Sequence, residues 1–436
     1  MFTIAFGASI FVLEKYLDYR QRSKFVGARG KPLPDELVQA KIDDTNFKKS
    51  LDYGIDKLGF GMFESSFSFL ENLLTLLIGL SPCLWDIAEY NATHYGLVNK
   101  DNSLVYTEIV HTVLFLGMVT LINEVIYLWF SLYSTFVIEE KHGFNKTSLT
   151  TFFTDKLKNL ALSIVIGVPL LSVMIYIVIS MGPYFYAYLW LFMFIFSLFF
   201  MTVWPEYIAP LYNKYTPIDE GPVYDSIKKL ADSVEFPLTK LFVVDGSQRS
   251  AHSNAYFYGF FKNKRIVIYD TLQEQVEREE LLAILGHEIG HWKMWHSIQG
   301  FVVTQIHMFL MFYVYSLVQH TPGLFTAFGY SFKGQAPVLV SLMLFSNVFW
   351  SPFEKFVMFC MNINSRRNEF QADKYACDLG MGAPLGTGLI KISVENKGAA
   401  TMLPDKLYST YHFSHPPLVE RLAAINEAIG KGKKRD

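Results

Sequence analysis

The sequence predicts an all-α, multi-span membrane protein whose polar segments carry a zinc-ligand motif. Three observations predict this. The 436-residue chain is 51% hydrophobic and only 18% charged, whereas soluble globular proteins have about 25% charged residues. Several stretches near 20 residues, the length that crosses a bilayer as a helix, hold no charged side chain. A polar segment between two of these stretches reads His287-Glu288-Ile289-Gly290-His291.

Seven spans are expected. Residues 2–13 are apolar and extend past Glu14 to about Leu17; they lack the basic start and small-residue cleavage site of a signal peptide. Residues 61–85 contain two acids, Glu64 and Glu71, and residues 109–136 contain one, Glu124. Residues 159–181, 184–204, 297–318 and 336–353 have no charge at all. An ionisable residue inside a span usually faces a bundle interior or a wet cavity, so Glu71 and Glu124 point to a polar interior.

Lysine and arginine placement orients the spans. Nine basic residues, from Arg20 to Lys57, separate spans one and two, but only Lys100 separates two and three. Lys141, Lys146, Lys156 and Lys158 follow span three, and the turn at Gly182-Pro183 has none. The segment after span five is basic, the one after span six has only Lys333, and the C-terminal region is basic again. The alternation puts the N-terminus in the lumen, and the C-terminus and the His287 segment in the cytosol. Asn91-Ala92-Thr93 is then a glycosylation sequon in a lumenal loop.

Four segments follow: spans one to five with their loops (1–204), a cytosolic insert (205–296), spans six and seven (297–361) and a helical cytosolic C-terminal segment (362–436). Within the insert, residues 221–234 read as an amphipathic helix and 241–244 as a strand. Residues 255–260 and 266–269 form a second apolar pair around Lys262-Asn263-Lys264, a hairpin pattern. From Gln273 onward, Leu281, Leu282, Leu285, Ile289 and Trp292 recur at helical spacing.

The net charge of −2 excludes a nucleic-acid footprint, which is strongly basic. Cys83, Cys360 and Cys377 form no C-x-x-C pair, which excludes a thiolate zinc cluster. Each is expected to be a small buried residue.

On a helix, His287 and His291 lie one turn apart on one face and reach one Zn²⁺, with Glu288 beside them as general base. Catalytic zinc takes three protein ligands and keeps an open position for water, whose pKa it lowers toward about 7. Glu369 is the first candidate for the third ligand. Asp373 shares its helical face and suits either orienting a ligating histidine or proton transfer. The plain reading of Glu369 and Asp373 is a solvated acidic face beside Arg366 and Arg367. Gly286 and Gly290 cost about 1 kcal/mol each in helix propensity, a cost best understood if something must fit against them. His415 and Arg421 are candidate oxyanion donors, against a reading as a His-Pro helix entry with a solvated arginine. His252 and Asn254 precede the hairpin, where an edge strand can take up an extended peptide; a simple polar turn is the alternative.

The motif with Trp292, the runs 365–373 and 250–256, His415-Pro416-Pro417, and the stretches 136–146 and 204–215 together resemble the type I CAAX prenyl proteases. These are integral membrane zinc metallopeptidases of the gluzincin type, called a-factor-converting enzymes in fungi. The resemblance implies seven helices enclosing an intramembrane chamber. It implies one Zn²⁺ per chain on His287, His291 and Glu369, with Glu288 as base and Asp373 as a proton donor. It implies removal of the last three residues of a prenylated (farnesylated) CAAX peptide or protein, with a second, N-terminal cut in some precursors such as a mating pheromone. The implied location is the endoplasmic reticulum membrane and the inner nuclear membrane, and Lys433-Lys434-Arg435-Asp436 is similar to a di-lysine retrieval signal.

Two rivals stand beside this reading. A site-2-type intramembrane protease would place the motif inside an apolar span, which the charged residues 277–280 and Lys293 disfavour. A transporter or scaffold with a structural zinc would have no use for Glu288.

Overall fold

The computed structural model describes residues 2–259, 263–332 and 336–432. Most of them are helical, and the helices fall into a membrane bundle and a polar module. The hairpin centre at Lys262, the loop residue Lys333 and the tail 433–436 lie outside the described residues.

Among the described residues, four helices are long and apolar enough to cross a bilayer: Leu104–Glu139, Leu149–Ser180, Gly182–Leu211 and His296–Val318. A further apolar pair, Asp44–Leu77 and Leu80–His94, is long and apolar enough only when taken together, and its two helices meet at 61°. The bend falls at Gly79, whose φ of 66° is a conformation that glycine adopts without steric cost. The sequence predicts one continuous span there. The apolar pattern does not register the break because both halves are equally apolar.

The outermost two expected spans are helical but less apolar. Phe2–Ala28 carries Glu14, Lys15 and Asp18 in its middle. Val338–Phe345 continues through a π turn, Ser346–Trp350, into Ser351–Asp378. The apolar part of that long helix is cut short by Asn347, Glu354 and Lys355.

Two smaller expectations change. The Asn91 sequon sits in the helix Leu80–His94, not in a loop, and Ala92 is fully buried. Cys83 and Cys360 are exposed on helix surfaces and only Cys377 is partly buried; a small apolar side chain is as well placed against lipid tails as in a protein core. Glu124 is half exposed and pairs with Lys156 of the neighbouring helix at 2.8 Å.

The polar module is built on a sheet rather than a lone hairpin. β1 (Tyr215–Pro217), β2 (Leu238–Val244), β3 (Ala255–Tyr258) and β4 (Lys264–Tyr269) order as β1-β2-β4-β3. β3 and β4 form the expected antiparallel hairpin, with Ala255 opposite Ile268. β2 joins β4 in parallel and β1 adds antiparallel to β2. β3 is therefore an edge strand. Sequence patterning detects strands but not their lateral order, because β2 and β4 pair across an intervening strand.

The amphipathic helix Pro222–Ser233 and the motif helix Arg278–Lys293 pack on this sheet. Leu281, Leu285 and Ile289 of the motif helix meet Ile266 and Ile268 of β4, Ile227, Leu385 and Ile425 in one buried cluster. The motif helix does not run on from Gln273. A separate short helix, Asp270–Gln275, precedes it. It restarts with a capping box in which the Glu277 side chain accepts from the Glu280 backbone and Glu280 accepts from the Glu277 N–H at 2.8 Å. This satisfies orphan donors at the helix start. It ends at Lys293, and Trp295, whose φ is 62°, turns the chain so that His296–Val318 leaves in a new direction.

Candidate metal centre

The site forms where the motif helix lies against Ser351–Asp378. Gly286 and Gly290 face that helix. A Cβ on Gly290 would stand 3.2 Å from Ala372 Cα and 3.2 Å from Tyr375 Cβ. Glycine there is the condition for the two helices to approach closely enough to share a metal.

The approach brings three donors together. His287 Nε2 and His291 Nε2 are 3.2 Å apart. Glu369 places one oxygen 3.5 Å from His287 Nε2 and the other 3.3 Å from His291 Nε2. Ligands about 2.0–2.1 Å from a tetrahedral zinc are roughly 3.3 Å from one another, so the donor spacing and the donor chemistry both fit Zn²⁺. Among the described residues this is the group of His, Cys, Asp or Glu side chains arranged to hold a metal. His287 and Glu369 are buried, at 6% and 3% exposure.

Each histidine is held from behind. Asp373 Oδ1 lies 2.8 Å from His287 Nδ1. Asp373 in turn accepts two bonds from Arg421 of the C-terminal helix Leu418–Gly432, from Nε at 2.9 Å and Nη2 at 2.6 Å. Behind His291, His296 Nδ1 is 3.0 Å from His291 Nδ1, and His296 Nε2 is 2.9 Å from Gln371 Oε1. His415 reaches Glu369 Oε1 at 3.0 Å while staying largely exposed.

The electrostatics favour a cation in this cage. Burial raises the Glu369 carboxyl, but hydrogen bonds from His287, His291 and His415 outweigh it and hold it well below the carboxylate range. Burial lowers His287, yet Asp373 and Glu369 reverse this and carry it up to about 9. Burial pushes Glu288 upward, and His287 and His291 pull it part of the way back. An elevated carboxyl beside the donor triad suits a group that takes and returns a proton.

A cleft of about 660 Å³ opens over the triad. Glu288, His415, Arg421 and Asn254 line it, as do Ala255, Tyr256 and Phe257 of the edge strand. Asp373 does not: both its oxygens are taken by His287 and Arg421 on the far side of the ligand. Asn254 is fixed by its own turn, its side-chain oxygen accepting from the Ala255 N–H at 2.9 Å. His252 stands at the back of the cleft wall, its Nδ1 3.3 Å from Oδ1 of the lining residue Asn396. Its ring stacks on Phe144 at 4.1 Å and its Nε2 lies 3.6 Å from Glu139, so it braces the loop rather than lining the cleft.

The chain matches two family models in tandem. Residues 23–214 match the CAAX prenyl protease N-terminal model, described as five membrane helices, and residues 217–429 match peptidase family M48. A rice protein named CAAX prenyl protease 1 homolog is 44% identical over 98% of this chain and 97% of its own. The chain belongs to the CAAX prenyl protease 1 family. The human homolog is 38% identical over 97% of this chain and 94% of its own. The budding-yeast CAAX prenyl protease 1 is 35% identical over 98% and 95%. The crystal structure of S. mikatae Ste24p superposes with a TM-score of 0.88 at 36% identity, covering 97% of this chain and 98% of that one.

For this member of the CAAX prenyl protease 1 family, reading the sequence missed His296, Gln371 and Ser297, which also lines the cleft. The available signal was a histidine at the polar start of an apolar span. The sequence-predicted residues His287, Glu288, His291, Glu369, His415, Arg421 and Asn254 are brought together, with Asp373 directly behind them.

Proposed function

We propose that this chain is a zinc-dependent membrane endopeptidase that removes the aaX tripeptide from prenylated CAAX substrates, with a second, N-terminal cut in prenylated precursors such as a mating pheromone. The observation that carries the proposal is the buried triad His287, His291 and Glu369, with donors 3.2–3.5 Å apart, under a cleft that also holds Glu288. Family membership supplies the substrate class. His287, His291 and Glu369 would hold one Zn²⁺, which when bound would supply a Lewis acid and acidify water.

The protein's own residues do the rest. Glu288, in the cleft beside the donor triad, takes a proton from the attacking water and returns it to the leaving amine. β3 offers a free edge along the cleft, so an extended peptide adds as a further strand. His415, exposed at the cleft mouth, is the oxyanion donor. Arg421 is committed to Asp373 and acts as a clamp. Asp373 is a positioning residue: an ionised carboxylate held by Arg421 has no proton to give, but it fixes the His287 tautomer with Nε2 toward the metal.

The membrane reading has seven spans enclosing a chamber, with Phe2–Ala28 and the helix of residues 338–378 as the first and last. Only 6–17% of the residues in the four apolar windows are buried. A helix packed on a solid core buries a stripe about 100° wide, roughly a quarter of its residues. Sparse burial accords with helices that face lipid on one side and an open interior on the other. The four-segment division, with a cytosolic catalytic module and a lumenal N-terminus, and the endoplasmic reticulum and inner nuclear membrane as location, complete the proposal. The motif helix Arg278–Lys293 is not among the membrane-crossing helices, which sets aside a site-2-type mechanism.

The test is cleavage of a farnesylated CAAX peptide by purified protein, with its zinc content measured alongside. Glu288→Gln is expected to retain zinc and lose turnover by about a hundredfold or more, the scale of general-base catalysis. Unchanged turnover sinks the mechanism, and equal cleavage of the non-prenylated twin sinks the substrate class.

A further inference from the structure

We infer that His296 and Gln371 form a neutral relay that locks His291 in its metal-binding tautomer, and that this relay ties the metal site to the seating of the membrane helix His296–Val318. The inference rests on the zinc reading above and concerns residues that reading does not use.

The proton positions follow by elimination. For His291 to present the Nε2 lone pair to a metal, its one proton must sit on Nδ1. The partner 3.0 Å away is His296 Nδ1, which must then accept. The proton of His296 therefore sits on Nε2, and the atom 2.9 Å from it is Gln371 Oε1, an acceptor. Each group is used in the one sense open to it. Reversing the first bond would put the His291 proton on Nε2, facing the metal position.

The two ligating histidines are thus backed differently. His287 donates to the Asp373 carboxylate, which Arg421 clamps. His291 donates to a neutral imidazole. An anionic partner raises the basicity of a ligand more than a neutral one does, so the relay fixes the orientation of His291 without adding negative charge near the metal. His296 is also buried, at 6% exposure, so water does not substitute freely for it.

The relay spans three elements. His291 is on the motif helix, Gln371 lies between Glu369 and Asp373 on Ser351–Asp378, and His296 is the first residue of the helix that enters the membrane. Trp295, in the left-handed region with φ of 62°, makes the sharp turn that swings His296 back onto His291. A continuous helix would carry position 296 away from the side of His291, because residues five apart are about 140° apart around a helix. The break at Trp295 is what couples the membrane helix to the ligand.

The experiment measures zinc affinity of the full-length protein in detergent by chelator competition, with the Co²⁺-substituted absorption spectrum as a second readout. His296→Asn keeps an acceptor at the δ position, whereas His296→Phe removes it. His296→Phe is expected to lose 10- to 100-fold in zinc affinity and to shift the cobalt bands. His296→Asn is expected to stay within a few-fold of wild type. Gln371→Leu should weaken binding by less than His296→Phe, and adding it to His296→Phe should cost nothing more, since its effect passes through His296. Wild-type affinity in His296→Phe overturns the inference. So does a loss in His296→Asn as large as in His296→Phe, since that marks packing rather than acceptance. A wild-type protein that binds no zinc refutes the functional reading itself, and the relay with it.

Discussion

Gly290→Ala adds one methyl group at the contact that sets the metal site. Its Cβ would sit 3.2 Å from Ala372 Cα and 3.2 Å from Tyr375 Cβ. The first is backbone and the second is rigidly attached to backbone, so the helices must separate by a few tenths of an ångström. Overpacking of this kind costs about 1–3 kcal/mol, and alanine returns about 1 kcal/mol of helix propensity. The net is a loss of up to about 2 kcal/mol. The donors now stand 3.2–3.5 Å apart, and metal sites tolerate about ±0.2 Å in ligand distance. The separation therefore falls on the zinc as well, with an expected affinity loss of about tenfold or more. Gly286→Ala, one turn earlier, is the control. Its Cβ would meet the flexible Met381 Sδ at 3.4 Å and nothing else nearer than 3.9 Å, so the propensity gain of up to about 1 kcal/mol survives. The assay is thermal unfolding in detergent with and without chelator, together with zinc competition. Equal stability and affinity in Gly290→Ala refute the close-approach argument, as does equal damage from Gly286→Ala.

Two further outcomes are expected. Asp373→Asn leaves the Arg421 guanidinium facing an amide instead of a carboxylate and removes the anionic partner of His287; zinc affinity should fall 10- to 100-fold, measured by chelator competition, and Arg421→Leu in the same background should recover part of the lost stability by removing the stranded charge. Acid should loosen the tie between the N-terminal helix and the C-terminal segment. There burial raises Asp405, but Arg20, at 3.2 and 2.9 Å, and the N–H groups of Tyr408 and Leu407 outweigh this and hold it below its ordinary value. A depressed carboxyl contributes fully above its unfolded pKa of about 3.9 and loses that contribution as pH falls through the folded value. Unfolding midpoints should therefore drop below about pH 4 in wild type and drop less in Asp405→Asn; parallel curves would remove Asp405 from the account.

Much of the site was legible because its signals are local. His287 and His291 are one turn apart, and Glu369 and Asp373 are one turn apart, so each pair is readable from helical spacing alone. Their meeting is not local. It depends on Gly290 facing Ala372 and Tyr375, and helix propensity registers that glycine only as a cost. His252 shows the opposite failure: its polar neighbours suggested a binding turn, but Phe144 and Glu139, brought from the end of a distant span, hold its ring behind the cleft wall. Arg421 had the right neighbourhood and a different engagement, because a guanidinium beside a buried carboxylate is bound by it before any substrate arrives.

The sequence by itself determined the helical membrane character, the apolar spans, the donor types and the register of each pair of site residues. These follow from composition and from periods of 2 and 3.6 residues, which operate over a few positions. Only the tertiary structure decided the four-stranded order of the sheet, the 61° bend at Gly79, the different backing of the two histidines and the return of His296 onto His291. Those depend on which surfaces pack together and on single residues in the left-handed region. Such contacts join positions far apart in the chain, and no local pattern encodes them.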